Sequence, residues 1–272
     1  MPELPEVETI RRQLRPLVVG RRILKVWLDP QAPRLAVSPP HPQGLVQSLE
    51  GRRILDLTRH GKYLLFALDD GRTWVVHLRM TGSLIHRPGP CQGPFLRAAM
   101  ALDDGSHLCY RDQRKLGRMW LVDDPSQVVG HLGPEPLDPK LTPHGLWERI
   151  KGRRTAIKAV LLDQRAIAGV GNIYADEVLF VAGIHPRRPA SSLSLEEAER
   201  LLTALRVVLE GAIRHGGTTF LTYLDATGAP GSHGEHVRVF RREGKPCLRC
   251  QGTISRIKIG GRTTYFCPAC QQ

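Results

Sequence analysis

No stretch of this sequence approaches the roughly 20 consecutive apolar residues that a membrane-spanning helix needs, so no membrane partner is expected. The opening residues carry two prolines and three acids, Glu3, Glu6 and Glu8, and do not read as a secretory signal. There is neither an internal repeat nor a low-complexity tract. A disulfide framework is also missing. Four of the six cysteines cluster near the C-terminus in metal-like spacing, while Cys91 and Cys109 stand alone. That usage fits a reducing compartment, and the expected location is cytoplasmic. Acidic residues are scarce: 26 Asp+Glu face 39 Lys+Arg, a net charge of +13. Such a surplus favours a polyanionic partner, most often nucleic acid, although a generally basic soluble enzyme has the same totals.

What is present is ordinary for a globular protein. The 272 residues suffice for one large or two ordinary domains, with 41% apolar and 24% charged residues. After Pro5, apolar residues at Val7, Ile10, Leu14, Leu17 and Val18 have helical spacing, and Gly20 supplies a stop. Short apolar or alternating runs follow, such as "RRILDLTRHGKYLLFAL" and "RTWVVHLRM", punctuated by "DDG" turns. The first half therefore reads as a β-sandwich or barrel with the N-terminal helix packed on it. The segment 131–143 holds four prolines and marks a domain boundary. Beyond it the patterns are helical, the longest helix beginning with a Ser194/Glu197 capping box and ending at Gly216. Residues 216–236 have little periodicity and read as a mobile loop.

Cys247-x2-Cys250, a gap of sixteen residues and Cys267-x2-Cys270 suit a tetrahedral structural zinc, the alternative being two adventitious disulfides. The stretch between the pairs reads as a hairpin turning at Gly260-Gly261, with Arg256, Lys258 and Arg262 on it. In "AGVGNIYADE", a glycine turn precedes a helix starting near Asn172, where backbone N–H groups can hold a phosphate. Two packed helices need glycine in any case.

The opening "MPELPEVE" has two readings. Acids at a helix start stabilise its dipole. Alternatively, removal of Met1 exposes Pro2 as a secondary amine with a pKa about 8, against about 10.4 for lysine, a better unassisted nucleophile beside Glu3. Lys62 is either a solvated strand-edge lysine or a cation aimed into a cleft. Met80 continues the face Trp74, Val76, Leu78, and core packing is its default reading. Arg111, Arg114 and Lys115 form either a solvated loop or a finger for a polyanion.

Together "MPELPEVE", "GVGNIYADE" and the four-cysteine finger with "GGRTTYFCPAC" resemble the bacterial formamidopyrimidine-DNA glycosylases, within the group that includes endonuclease VIII. The likeness spans essentially the whole chain. It implies an α+β fold: a β-sandwich catalytic domain over 1–130 and a linker over 131–142. A helix-two-turn-helix domain with a lesion-capping loop follows over 143–238, and a β-hairpin zinc finger over 239–272. It implies Pro2 as Schiff-base nucleophile, Glu3 as acid/base partner, Glu6 as a second essential glutamate and Lys62 as a phosphate contact near the lesion. Lys158, Asn172 and Arg262 would face DNA. Met80, Arg114 and Leu116 would fill the void left by an extruded nucleotide, because chemistry at C1′ requires that nucleotide to leave the stack. Two departures stand out: Leu116 replaces the usual Phe of "DPRRFG", and "GGTTFLTY" lacks the Arg-Asp pair of "GGTTLRDY".

The implied activity is a bifunctional glycosylase and abasic-site lyase in base excision repair. It would remove 8-oxoguanine and formamidopyrimidines from damaged double-stranded DNA and cut the strand by β,δ-elimination. The implied cofactor is one structural zinc, and a monomer is expected. Two alternatives remain at this stage: an endonuclease VIII-like enzyme for oxidised pyrimidines, against which "PELPE" argues, and a non-catalytic zinc-ribbon DNA-binding protein.

Overall fold

The computed structural model describes residues 2–272; Met1, on whose removal the amine reading depends, lies outside them. The chain forms two compact units. One comprises residues up to His131 together with His215–Gly234, and the other Leu132–Arg214 with Glu235–Gln272.

The first unit begins with α1 (Leu4–Val18), whose Val7, Ile10, Leu14 and Val18 fall three or four apart and are completely buried. Then come β1 (Ile23–Leu28), β2 (Ala36–Ser38), α2 (Pro42–Leu49), β3 (Ile54–His60), β4 (Tyr63–Leu68) and β5 (Thr73–His77). They are followed by β6 (Gly82–Arg87), β7 (Leu96–Leu102), β8 (His107–Asp112), β9 (Arg118–Val122) and the short α3 (Ser126–Val129). Among the described residues these strands make two sheets, ordered β1-β7-β8-β6 and β2-β9-β5-β4-β3. Pairing is antiparallel except between β2 and β9. Residues of α1 and of both sheets share one apolar core, the sandwich expected from the alternating strands.

Helix α2 was not anticipated. Its cap is His41, whose Nδ1 accepts the Gly44 N–H at 3.0 Å, in place of the usual Ser, Thr, Asp or Asn. Two further differences have simple physical causes. Cys91 and Cys109 do not stand alone but are disulfide-bonded. Strand β8 lies between β6 and β7, so the loop joining those two strands must cross it, and this brings Cys91 onto Cys109. Residues 215–234 belong with the first unit rather than with the helical one, because Tyr223 and Ala226 are buried in the first unit's core.

The second unit contains α4 (Pro143–Ile150), α5 (Ile157–Leu162), α6 (Asn172–Ala182) and α7 (Leu195–Arg214), then the hairpin β10 (Ser255–Ile259) and β11 (Arg262–Phe266). The α7 capping box forms as read: Ser194 Oγ accepts the Glu197 N–H and Glu197 returns to the Ser194 N–H at 3.0 Å. The β10–β11 hairpin turns at Gly260 and Gly261, both with positive φ. Among the described residues no helix is long and apolar enough to cross a membrane.

Candidate active site and nucleic-acid interface

In the first unit the chain start is a built, buried site. Pro2 is buried, and Glu3 and Glu6 are 2% and 1% exposed. Glu3 caps α1, and Glu6 turns back so that its Oε2 accepts the Glu3 N–H at 2.7 Å. Its other oxygen, Oε1, accepts the Thr218 N–H, also at 2.7 Å. The neighbouring Gly217 has φ +82°, and a Cβ there would lie 2.9 Å from the Glu6 carboxylate, so the close approach requires glycine. Tyr223 donates its hydroxyl to the Glu6 carbonyl oxygen, and burial followed by the charges of Glu6 and Asp225 pushes its pKa upward. Two turns along α1, Gln13 donates to Asp225 and accepts from the Ala226 N–H. The 215–234 segment is thus fastened to one face of α1 at two points, and Leu221 projects from it, 80% exposed.

Glu8 does something different. Burial raises its pKa, but Arg11, Arg12 and Arg59 outweigh that and hold it at about 2. It is an anion at neutral pH in an ion-pair cluster, a structural part rather than a catalytic one.

Lys62 sits in the turn before β4 and is 7% exposed, which excludes the solvated strand-edge reading. Beside it His77 is driven down to about 3, first by burial and then by Arg79 and Lys62, so its ring is neutral at working pH. His77 Nδ1 accepts the Arg79 N–H at 3.0 Å, turning the chain out of β5. Met80 therefore does not continue the core face; it is half-buried in the turn after the strand has ended. Arg114 is exposed and Leu116 half-buried on the turn between β8 and β9.

In the second unit Asn172 opens α6 and donates its amide to the Thr263 carbonyl of the finger at 3.0 Å. Arg262 is exposed at the start of β11. Lys158 differs from expectation. Its side chain has no exposed surface, and its Nζ donates to Thr263 O and Thr264 Oγ1 and pairs with Asp176 at 2.7 Å. It does not face outward to DNA; it ties α5 and α6 to the hairpin from inside. Burial pushes Asp176 up to about 7 against the pull of Lys158 and the Tyr265 N–H. The adjacent Glu177 accepts three backbone N–H groups, from Arg238, Val239 and Phe240, where the chain enters the finger.

The Sγ atoms of Cys247, Cys250, Cys267 and Cys270 lie within 4.8 Å of one another. Two of the separations are 3.9 and 3.5 Å, near the roughly 3.8 Å edge of a tetrahedron with Zn–S bonds of about 2.3 Å. The Arg249 N–H points at Cys247 Sγ, the kind of donor that stabilises a thiolate ligand. Four thiols converging unbonded to each other fit one structural zinc and leave no open coordination position.

Sequence reading missed Thr218, Tyr223, Asp176 and Glu177. For the first two the available signal was the pair Glu6 and Gln13, polar residues seven apart on an otherwise apolar face of α1. For the last two it was adjacent acids inside a nearly all-apolar helix, which burial obliges to find partners.

Comparison with known proteins agrees with this fold. Family models match in chain order: the formamidopyrimidine-DNA glycosylase N-terminal domain at residues 1–119, its H2TH domain at 132–223, and a zinc finger found in FPG and IleRS at 244–272. The formamidopyrimidine-DNA glycosylase of Chloroflexus aggregans is 44% identical, over 100% of this chain and 98% of that protein. The crystal structure of the MutM (FPG) protein from Thermus thermophilus is 43% identical with a TM-score of 0.88, covering 99% of this chain and 98% of that one. A Lactococcus lactis FPG mutant in complex with Fapy-dG-containing DNA is 33% identical with a TM-score of 0.90, over 100% of both chains. With all three modules present in order over its length, the chain belongs to the formamidopyrimidine-DNA glycosylase family.

Proposed function

We propose that this protein is a bifunctional DNA glycosylase and abasic-site lyase that removes oxidised purines, 8-oxoguanine and formamidopyrimidines, from damaged duplex DNA. The observation that carries the reading is the buried chain start, where Pro2 stands beside two carboxylates and one of them, Glu6, is committed through both oxygens to backbone N–H groups. A carboxylate so occupied holds geometry. Glu3, the carboxylate next to Pro2 in the chain, is read as the proton carrier, and Glu6 keeps Glu3 and the 215–234 segment in place.

With Met1 removed, the Pro2 nitrogen attacks C1′ of the lesion nucleotide and the C1′–base bond breaks, the base leaving with a proton. Glu3 protonates the sugar ring oxygen as the ring opens, giving a proline iminium that is cationic without further protonation. Loss of a 2′ proton then expels the 3′ phosphate, and loss of the 4′ proton expels the 5′ phosphate, the β- and δ-eliminations. Water releases the sugar remnant from Pro2. Buried, cationic Lys62 is suited to hold a phosphate near the reacting sugar. Met80, Arg114 and Leu116 are suited to fill the gap in the stack, and Asn172 and Arg262 to grip the backbone. The chain is read as a cytoplasmic monomer.

Excision assays on duplexes carrying 8-oxoguanine or thymine glycol test the substrate class. Preference for 8-oxoguanine is expected; preference for thymine glycol would move the protein to the oxidised-pyrimidine branch, and inactivity on both would reduce it to a DNA-binding protein.

A further inference from the structure

The turn carrying Met80 and the turn carrying Arg114 and Leu116 are built on a single buried carboxylate. Asp112 ends β8 and is 1% exposed. Its Oδ1 accepts the Thr81 hydroxyl at 2.5 Å and the Arg114 N–H at 3.1 Å, and its Oδ2 accepts the Gly117 N–H at 2.8 Å. The Arg114 N–H also reaches Thr81 Oγ1 at 3.1 Å, closing a three-membered network across the two turns. Every one of these donors lies at or next to one of the three residues: Thr81 follows Met80, Arg114 donates through its own backbone, and Gly117 follows Leu116.

Register makes the arrangement symmetric. Gly82 of β6 is the direct partner of Asp112 on β8, so Met80 and Arg114 each lie two residues beyond the same paired position. Beneath that pair is Tyr110, fully buried, with its hydroxyl 3.5 Å from Asp112 Oδ2. Burial, and then the Asp112 charge, push its pKa upward and keep it a neutral donor. Both turns rest on this hydroxyl. A Cβ on Gly82 would lie 2.5 Å from it, and a Cβ on Gly117 would lie 1.7 Å from it. From behind, Arg97 donates to the Asp112 carbonyl at 2.9 Å, and the Asp112 N–H donates to the Phe95 carbonyl, also at 2.9 Å. The carboxylate therefore has a fixed base and a fixed floor, and only the two turns remain for it to set.

We propose that Asp112 is a positioning residue that holds the Met80 turn and the Arg114–Leu116 turn as one rigid pair, so that both enter the duplex together when a lesion nucleotide is extruded. This rests on the reading of Met80, Arg114 and Leu116 as void-filling residues. Asp112 itself touches no substrate.

The test compares single-turnover excision of 8-oxoguanine with borohydride trapping on a preformed abasic site, together with the fluorescence of 2-aminopurine placed beside the lesion, which rises when a side chain unstacks it. Asp112→Asn is expected to slow excision about tenfold, the consequence of losing one hydrogen bond to a charged group. It should slow abasic-site trapping by less than about threefold, since that site is already unstacked, and flatten the 2-aminopurine rise. Equal losses on both substrates, or a normal fluorescence rise, would overturn the proposal. Thr81→Val removes one donor without touching the carboxylate and should show the same pattern more weakly, with Thr81→Ser restoring it. This pair decides the matter if Asp112→Asn does not fold. Met80→Ala and Arg114→Ala separate the two levels. If they leave fluorescence and excision normal, the void-filling reading fails; if they impair both while Asp112→Asn and Thr81→Val do not, only the Asp112 proposal fails.

Discussion

Glu6 Oε1 accepts the backbone N–H of Thr218 at 2.7 Å, joining two residues 212 apart in the chain. The same carboxylate holds the Glu3 N–H, so one side chain links the chain start to the 215–234 segment. Glu6→Gln keeps the size but offers only one acceptor oxygen, leaving a buried N–H facing an NH2 group. The expected cost is about 2 kcal/mol of stability and a fall in excision of at least about tenfold, the equivalent of about 1.4 kcal/mol in the barrier. Thermal unfolding and single-turnover excision measure the two effects.

Glu8 links stability to pH. Its folded pKa of about 2 lies below the ordinary glutamate value of 4.5. Protons therefore bind the unfolded chain more readily, and the stabilisation is present above about pH 4.5 and lost as pH falls toward 2. Denaturant melts of wild type and Glu8→Gln should differ by about 2 kcal/mol near neutrality and converge at about pH 2. A constant difference across that range would show that packing, not charge, is what Glu8 supplies.

Lys158 and Asp176 are completely buried together. Removing one partner leaves the other uncompensated, and Lys158→Met is expected to cost about 3 kcal/mol. The double variant Lys158→Met/Asp176→Leu should recover part of that loss, which a double-mutant cycle in denaturant melts measures directly.

Zinc removal should separate binding from folding. Chelation or Cys247→Ser is expected to weaken binding to lesion DNA at least tenfold, with little change in helical circular dichroism, because α4, α6 and α7 are buried against one another and not against the finger alone. Wild-type binding should fall steeply with salt, and Arg262→Ala should reduce the slope of log K against log salt by about 1.

How far these features were legible before folding depended on their range. The zinc site needs residues three apart in two pairs, and the α7 capping box needs residues three apart, so both were written locally. The strands and their sandwich followed from alternation. What was not legible depends on partners far along the chain. Thr218 matters only because it reaches Glu6, and Lys158 is buried only because a hairpin about a hundred residues later covers it. Cys91 and Cys109 looked solitary because the loop carrying Cys91 meets the strand carrying Cys109 only through a crossing that the sheet order fixes. Asp112 lay in a run that read as a basic loop, and its acceptor role appears only once two turns converge on it.

The central claim is that the amine of Pro2 is the nucleophile. Borohydride reduction of a reaction on 8-oxoguanine duplex should leave a covalent protein–DNA adduct whose peptide map places the bond at Pro2. Pro2→Gly and Glu3→Gln should give far less of it, and intact mass should show Met1 absent. A retained Met1, or no adduct from the wild-type protein, would contradict the account.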